Sequence, residues 1–409
     1  MLFYLVKYPI FLALMVYFRR ISYSNRHKIP KGKRIIYALN HPSAFLDALL
    51  AGAYLQGPLY FLIRGDVYVN LLVRSILWSL HTLPIYRFRD GFKRMKDNQE
   101  TFEKCYRILE KGSAPVMIMA EGGNSERKRL LPLQKGSAKL AFGAFDEKGL
   151  KDIVLVPIGV NYTDVQRFRS SAMVSVGEPL PLENYLDAYA DDPRLAVQQL
   201  TSDLERNMRE VVVQIDRPED EAWANPLLDI AREGEGPRWP FSSQASPLER
   251  EFQRVGRINK MSREEKAACW KDLMSYRELL EKAGLRSFHP SKIGNGNIAG
   301  YFLGIIPFSL AWLLNRPPLV LAHWIARSKV PSPVFFPSVR FVLGLFVYMG
   351  YGLLACWVIG FLGAIIMGLL GVRSLLFFDR FSGWRLNFCT KEQQAELIRA
   401  RENLLRFLD

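Results

Sequence analysis

The sequence predicts an α/β domain with a mainly parallel sheet flanked by helices, set between an N-terminal membrane-anchoring helix and a C-terminal hydrophobic helical membrane region. Short apolar, β-branched or aromatic runs alternate with segments of helical periodicity, which is typical of a covered parallel sheet. The chain of 409 residues is 49% hydrophobic, yet its mean hydropathy is close to zero. Globular segments must therefore alternate with strongly apolar ones.

The first element is an apolar run over residues 2–18, interrupted by Lys7 and Pro9. No small-residue cleavage site follows, so residues 1–25 are interpreted as a retained anchor. The run is near the lower length limit for a spanning helix, which leaves open whether it crosses the bilayer or lies along its surface. The basic cluster that follows predicts that the next domain faces the cytoplasm. That cluster comprises Arg19, Arg20, Arg26, Lys28, Lys31, Lys33 and Arg34.

The α/β domain is assigned to residues 26–217. Strands are predicted at residues 35–39, 59–63, 116–119, 153–160 and 173–176, and helices at 97–109 and 140–145. Pro157 interrupts the fourth strand, and a proline is typical of an edge strand or a bulge.

Three further segments complete the predicted organisation: a charged linker with helices (218–297), hydrophobic membrane helices (298–378) and an amphipathic C-terminal helix (379–409). Residues 341–370 carry almost no charge, and about 30 helical residues would overshoot an untilted bilayer crossing. Glycines at 350, 352, 360 and 363 permit a break, so a hairpin and a single span are both open. The C-terminal helix could lie against the domain or the membrane.

The charge balance constrains the partners. A net charge of +15 indicates an anionic partner. Because the basic residues cluster beside apolar segments, they favour membrane lipids over nucleic acid, and no zinc-finger or RNA-binding motif is present. The 4 cysteines form no CxxC pair, which is typical of reduced or packed thiols.

The segment from Asn40 to Asp47 contains the strongest candidate for chemistry. His41 and Asp47 follow a predicted buried strand, and the chain has only 5 histidines. A histidine oriented by a carboxylate can remove a proton from a hydroxyl group. A lone histidine is more often structural, but the next two segments favour a catalytic interpretation. Pro42 is expected at the first position of the following helix.

Two further segments predict anion binding. Arg87 follows a short apolar run in residues 83–91, and guanidinium groups suit phosphate oxygens, although a solvated loop is the alternative. Glu121 ends a predicted strand, and Gly122 lets the backbone approach a ligand closely. A basic cluster then precedes a helix, an arrangement that binds anions. It comprises Arg127, Lys128, Arg129 and Lys135.

Taken in order, the Asn-His-Asp segment, the Pro-Ile-Tyr-Arg segment, the Glu-Gly segment and the Val-Pro strand resemble the membrane-bound glycerolipid acyltransferases. The likeness covers roughly residues 35–180. These enzymes acylate glycerol 3-phosphate or lysophosphatidic acid, with acyl-CoA or acyl carrier protein as the donor. The resemblance implies no metal and no cofactor beyond the donor. It implies that His41 is the general base and that Asp47 orients it. It also implies that Arg87 contacts the acceptor phosphate and that Glu121 and Gly122 shape the acceptor site. Pro157 is implied to help form the acyl-donor wall.

Two departures from the family pattern are visible. Five residues, rather than the commoner four, separate His41 from Asp47, and on an ideal helix this leaves the pair about 120° out of register. His41 must then precede the regular helix, or the turn must be distorted; a branch resembling fungal glycerol-3-phosphate acyltransferases shares the spacing. The usual Phe-Pro-Glu-Gly-Thr-Arg reads Met-Ala-Glu-Gly-Gly-Asn here, with Asn124 in place of arginine. We expect Arg127, Arg129 or Lys135 to bind the phosphate instead.

The sequence therefore predicts transfer of a fatty acyl group to a hydroxyl of a glycerol phosphate or lysophospholipid in phospholipid biosynthesis. The alternative is a non-catalytic membrane protein that binds lipid or acts as a scaffold. That alternative leaves the His41–Asp47 pair unexplained.

Overall fold

An eight-stranded, mainly parallel sheet forms the centre of the unit made mainly by Met1–Gln214. The computed structural model describes residues 2–55, 57–86, 97–125, 127–232, 247–285, 298–385 and 389–408. The strands are β1 (Arg20–Ser24), β2 (Arg34–Leu39), β3 (Tyr60–Arg64), β4 (Thr82–Ile85), β5 (Val116–Met119), β6 (Ile153–Tyr162), β7 (Ser171–Val176) and β8 (Leu180–Pro181). Their order is β1-β7-β6-β2-β5-β3-β4, with β8 also paired to β6. The strands from β6 to β4 in that order are parallel, whereas β7 is antiparallel to β6, so the predicted fold class is confirmed.

Helices cover this sheet. They are α1 (Leu2–Tyr17), α2 (Leu46–Tyr54), α3 (Leu71–Ser79), α4 (Asp97–Glu110), α5 (Gly136–Lys148), α6 (Leu186–Asp191) and α7 (Pro193–Arg209). Helices α4, α5 and α7 bury their apolar sides in one core with Ile36, Ala38 and Leu155 of the sheet. Such burial of apolar area is the main force that holds the layers together.

The N-terminal helix α1 packs along α2. Lys7, the charge that interrupts the apolar run, donates a hydrogen bond to the carbonyl of Leu55 at the end of α2, at 3.0 Å. A cation suits this position because the carbonyl groups at a helix C-terminus lack backbone donors. Leu14 is buried, whereas Leu5 and Tyr8 are exposed. The residues after α1, within the segment predicted to be the anchor, form β1 and pair with β7.

The expectation that Pro157 marks an edge or a bulge was wrong. Strand β6 has partners on both sides, and Pro157 pairs in register with Ala38 of β2. The carbonyl of Pro157 accepts a bond from the amide of Gly177 at 2.8 Å. The N–H and C=O of a strand residue point to the same side, so the nitrogen of Pro157, which has no hydrogen to donate, faces the side of β6 that pairs with β8 and β7. It lies where the partner of β6 changes from β8 to β7. A central strand tolerates proline there because no ladder bond is lost.

The second unit, made mainly by Ile215–Arg238 and Arg250–Asp409, begins with helical segments. They are α8 (Glu221–Arg232), α9 (Pro247–Lys260), α10 (Arg263–Lys282) and, at the C-terminus, α13 (Lys391–Leu405). The buried Arg232 guanidinium forms ion pairs with Asp229 and Glu251. Helix α13 packs against α10 and buries Leu397 and Leu404, so this face of the C-terminal helix lies against protein.

Two long apolar helices pack together in the second unit: α11 (Ile298–Lys329) and α12 (Phe336–Arg385). Within them, Gly304–Lys329 and Phe336–Leu375 are long and apolar enough to cross a membrane. Together they indicate membrane association. Helix α12 is broken at Gly360, where φ is 73° and ψ is 167°, so one of the glycines that permitted a break provides it.

A tyrosine hydroxyl compensates for a proline inside α11, and a second tyrosine bonds to the next carbonyl. Pro318 has no amide hydrogen to donate to the carbonyl of Leu314, four residues earlier. The hydroxyl of Tyr351 in α12 donates to that carbonyl at 2.7 Å, and Tyr348 donates to the carbonyl of Asn315 at 2.8 Å. An apolar surrounding makes an unsatisfied carbonyl costly, so these bonds join the two helices at the proline pair.

Gly159 in β6 provides a test of the packing that holds the sheet. A Cβ atom there would lie 2.0 Å from the carbonyl oxygen of Val211, which already accepts a bond from Asn161 at 2.8 Å. We expect Gly159→Ala to lower the free energy of unfolding of this unit by about 2–3 kcal/mol, because the backbone cannot move away freely. Gly123→Ala is the control, since its Cβ would meet no atom within 4 Å. Urea unfolding in detergent, followed by near-ultraviolet circular dichroism, measures both; equal midpoints for the two variants would contradict the packing argument.

Candidate active site

The candidate site lies where the carboxyl ends of parallel strands meet. His41 follows β2, Glu121 follows β5, and Tyr162 is the last residue of β6. Strand β2 pairs in parallel with both β5 and β6, so these three ends are adjacent. Open α/β sheets bind ligands at this edge.

Asn40 extends the sheet by one step and fixes the backbone before His41. Its side-chain amide donates to the carbonyl of Val160 at 3.0 Å and accepts from the amide of Val160 at 2.7 Å. Both bonds are buried, so the side chain acts as a substitute peptide group between β2 and β6. The position of His41 is therefore set by the sheet.

His41 and Asp47 are in direct contact. His41 Nδ1 lies 2.8 Å from Asp47 Oδ2. Helix α2 begins at Leu46, so His41 precedes the regular helix and the five-residue spacing is spanned by a turn. The same fact corrects the expectation for Pro42, which lies before the helix and is not its first residue. The catalytic roles of both residues stay predictions.

Asp47 is fully buried, and three donors surround its carboxylate. Besides His41, the amide of Ser43 donates to Oδ2 at 2.9 Å and the hydroxyl of Tyr162 donates to Oδ1 at 2.7 Å. Burial raises the pKa of Asp47, while the bonds from His41, Tyr162 and Ser43 oppose this rise. Tyr162 was missed in the sequence, where it follows the strand predicted at residues 153–160. Its place at the end of the strand next to β2 is the signal that could have indicated it.

The imidazole, unlike its partner, reaches solvent. The His41 side chain is 16% exposed and that of Asp47 is 0% exposed. With Nδ1 held by the carboxylate, Nε2 on the opposite side of the ring is left to accept a proton. In this pair the carboxylate is therefore buried and the imidazole is accessible to solvent.

Glu121 turns inward toward the backbone. Its Oε2 accepts from the amide of His41 and its Oε1 from the amide of Leu131, each at 3.3 Å. Burial raises the pKa of Glu121 to about 8, with a smaller contribution from the nearby Asp47 charge and with the two backbone bonds opposing the rise. This side chain therefore joins the His41 segment to the loop that follows β5.

Gly122 shapes the same loop. Its φ is +63°, and a Cβ atom there would lie 2.7 Å from Cγ of Gln134. Two residues beyond Gly123, the amide of Ser125 donates to the carbonyl of His41 at 3.2 Å. The loop after Glu121 is consequently folded against His41, and glycine is required for its first turn.

The predicted phosphate-binding cations differ in accessibility. Arg127 and Lys135 are exposed, with Lys135 directly before α5, whereas Arg129 is half-buried. Lys128 is held elsewhere, since its ammonium group donates to the carbonyls of Tyr162 and Thr163 at 3.1 and 2.7 Å. The assignment of a phosphate to any of these side chains stays a prediction.

Arg87 lies outside the described residues. The residue before it, Tyr86, is bonded through both its backbone groups to the side chain of Asn98, at 2.8 and 2.7 Å. In the described part of the chain, no group of three or more His, Cys, Asp and Glu side chains is arranged to hold a metal ion.

Part of this chain is similar to known proteins. The family model described as Acyltransferase matches residues 20–161, which begin at β1 and end within β6. Over these residues the chain is similar to the acyltransferase family. The match includes His41, Asp47 and Glu121, the residues that the hydrogen bonds bring together at the sheet edge.

Two yeast proteins are similar to part of this chain. Glycerol-3-phosphate O-acyltransferase 2 of Saccharomyces cerevisiae is 36% identical over 105 residues, 25% of this chain and 14% of the relative. Glycerol-3-phosphate O-acyltransferase 1 of the same yeast is 35% identical over 101 residues, 24% of this chain and 13% of the relative. The matched part thus spans less than a fifth of each of these proteins.

One solved structure is also similar, the 1-acyl-sn-glycerophosphate acyltransferase PlsC of Thermotoga maritima. The likeness covers 50% of this chain and 78% of that protein, with 14% identity and a TM-score of 0.36. Such a likeness is too weak to support a statement about substrate or mechanism.

The raised pKa of Glu121 predicts a measurable pH dependence of stability. Between its ordinary pKa of 4.5 and its value of about 8 in the fold, the folded state holds a proton that the unfolded state has lost. The stability contributed by Glu121 is therefore lost as the pH rises through this range and levels off above it. We expect wild type to lose stability relative to Glu121→Gln over the same range, measured as thermal unfolding midpoints. The exposed Glu183→Gln is the control and should show no such divergence; parallel curves for wild type and Glu121→Gln would contradict the assignment.

Proposed function

We propose that this protein is an O-acyltransferase that moves a fatty acyl group from a thioester to a hydroxyl of a glycerol phosphate or lysophospholipid. One observation supports this most strongly: the partly exposed His41 imidazole is bonded at 2.8 Å to the sealed Asp47 carboxylate. The donor is acyl-CoA or acyl-acyl carrier protein. The yeast relatives, named as glycerol-3-phosphate O-acyltransferases, favour glycerol 3-phosphate as the acceptor.

The geometry supports direct transfer. Asp47 accepts the Nδ1 hydrogen of His41, which leaves Nε2 unprotonated. Nε2 removes the acceptor's hydroxyl proton as the hydroxyl oxygen attacks the thioester carbonyl carbon. The resulting tetrahedral oxyanion collapses, the carbon–sulfur bond breaks, and the leaving thiolate takes the proton from the imidazolium. The products are an ester and a free thiol, and His41 is neutral again.

Acceptor binding is proposed to use the basic residues near this edge. Arg127 and Lys135 are exposed, and the loop bearing Arg127 is folded against His41. A phosphate held by such cations would place its neighbouring hydroxyl group within reach of the imidazole. Arg87 and Arg129 are further candidates. The long apolar helices would keep the enzyme at the bilayer that holds its lipid product, with the domain facing the cytoplasm.

The first test removes the catalytic pair. We expect His41→Ala and Asp47→Ala to lower turnover at least about a hundredfold, because proton removal from the hydroxyl is lost. Labelled acyl-CoA and acyl-acyl carrier protein are offered with glycerol 3-phosphate and with lysophosphatidic acid, and the lipid products are identified by mass spectrometry. His27→Ala is the control, an exposed histidine in a short turn. Wild-type turnover in His41→Ala would end the mechanism, and lipid binding without turnover in wild type would favour a scaffold.

A second test addresses the acceptor phosphate. We expect Arg127→Ala and Lys135→Ala each to raise KM for the phosphorylated acceptor about tenfold, the equivalent of roughly 1.4 kcal/mol, with KM for the thioester unchanged. Lys151→Ala is the matched control, because this exposed lysine precedes β6 at the opposite edge of the sheet. Unchanged acceptor KM in both cluster variants would remove this cluster from the acceptor site.

A further inference from the structure

We propose that Tyr162 is a positioning residue for the reaction, holding Asp47 in the orientation that directs one carboxylate oxygen at His41. The inference rests on the proposed function, since it concerns the same imidazole. The hydrogen bond from the Tyr162 hydroxyl goes to Asp47. Tyr162 acts through Asp47, 115 residues away in sequence.

The donors around Asp47 are divided between its two oxygens. Oδ2 receives His41 Nδ1 and the amide of Ser43, both from the turn that precedes α2. Oδ1 receives a single donor among the described residues, the hydroxyl of Tyr162 at 2.7 Å. Without that hydroxyl, the carboxylate is held through Oδ2 alone, and Oδ1 becomes a buried charged oxygen that lacks a hydrogen-bond donor.

Tyr162 is itself held firmly from several sides. Its ring stacks on Phe18 with centroids 5.7 Å apart and an interplanar angle of 23°. Its backbone pairs with Ala172 of β7, and the Lys128 ammonium group donates to its carbonyl at 3.1 Å. The hydroxyl is thus fixed relative to the sheet, which is how a positioning residue transmits rigidity.

Tyr162 remains a donor at working pH. Its burial, together with the Asp47 charge and the bond to Asp47, raises the pKa of Tyr162 well above its ordinary value. The other titratable or charged groups facing this centre are His41, Glu121, Tyr17 and, at the Tyr162 carbonyl, Lys128. Removing the Tyr162 hydroxyl alone leaves all of these side chains in the protein.

The direction of the effect follows from charge. The hydroxyl stabilises the state in which Asp47 is ionised and His41 is neutral, which is the state that can accept a proton. Without it, the pair binds a proton more tightly, so the acid limb of the kcat profile moves to higher pH. A looser carboxylate also orients the imidazole less well, so kcat falls. KM for both substrates stays the same, because Tyr162 is sealed from them.

The test is Tyr162→Phe in the full chain in detergent, with acyl-CoA and glycerol 3-phosphate as the probe substrates. The phenyl ring keeps the stack on Phe18. We expect kcat to fall about tenfold, which corresponds to roughly 1.4 kcal/mol, and the acid limb to move upward. The control is Tyr54→Phe, on α2 itself: this buried hydroxyl has no hydrogen-bond partner in the described structure. A Tyr162→Phe enzyme with the wild-type kcat and pH profile would overturn the inference.

A second measurement separates this inference from the proposed function. Titration of the His41 ring nitrogens by ¹⁵N NMR, assigned by loss of the signal in His41→Ala, needs no turnover. An upward shift of the transition in Tyr162→Phe, absent from Tyr54→Phe, supports the positioning role. An unchanged transition overturns it. If wild type turns over no acceptor but the NMR shift is present, the proposed function fails while the role of Tyr162 toward Asp47 stands.

Discussion

A buried carboxylate that must stay charged is the constraint on which the site depends. Asp47 is sealed from water, and burial opposes its ionisation. Three donors offset that cost: the His41 imidazole and the Ser43 amide from the turn before α2, and the Tyr162 hydroxyl from the end of β6. The chemistry proposed for His41 requires all of them to be in place, because a neutral or rotated carboxylate would no longer hold the imidazole tautomer that accepts a proton.

The order of strands in the sheet brings the residues of the site together. Adjacency of β2 and β6 brings Tyr162 to Asp47, and adjacency of β2 and β5 brings Glu121 to the backbone of His41. Asn40 and Glu121 then use side chains to satisfy backbone groups where the regular ladder ends. A site whose turns and loops are bonded to adjacent strand ends in this way favours a fixed geometry between base and substrate.

A few polar side chains in the apolar regions form hydrogen bonds to backbone carbonyl groups. Lys7 caps α2 from within the N-terminal helix, and Tyr351 of α12 supplies a donor where Pro318 interrupts α11. In each case a group that looks unfavourable in an apolar run satisfies a carbonyl that the backbone leaves open. Backbone hydrogen bonding is also satisfied in the sheet, because Pro157 lies where the partner of β6 changes from β8 to β7.

The resemblance of the ordered motifs to a known family grouped His41, Asp47 and Glu121. Local patterns in the sequence determined the alternation of strands and helices and the apolar segments. They are readable because periodicity and spacing are local properties. The tertiary structure alone decided that residues 20–24 join the sheet, that Pro157 sits in a central strand, that Glu121 faces backbone amides and that Tyr162 bonds to Asp47. Each of these depends on which strand lies beside which, and contacts between residues about a hundred positions apart leave no periodic trace in a single sequence.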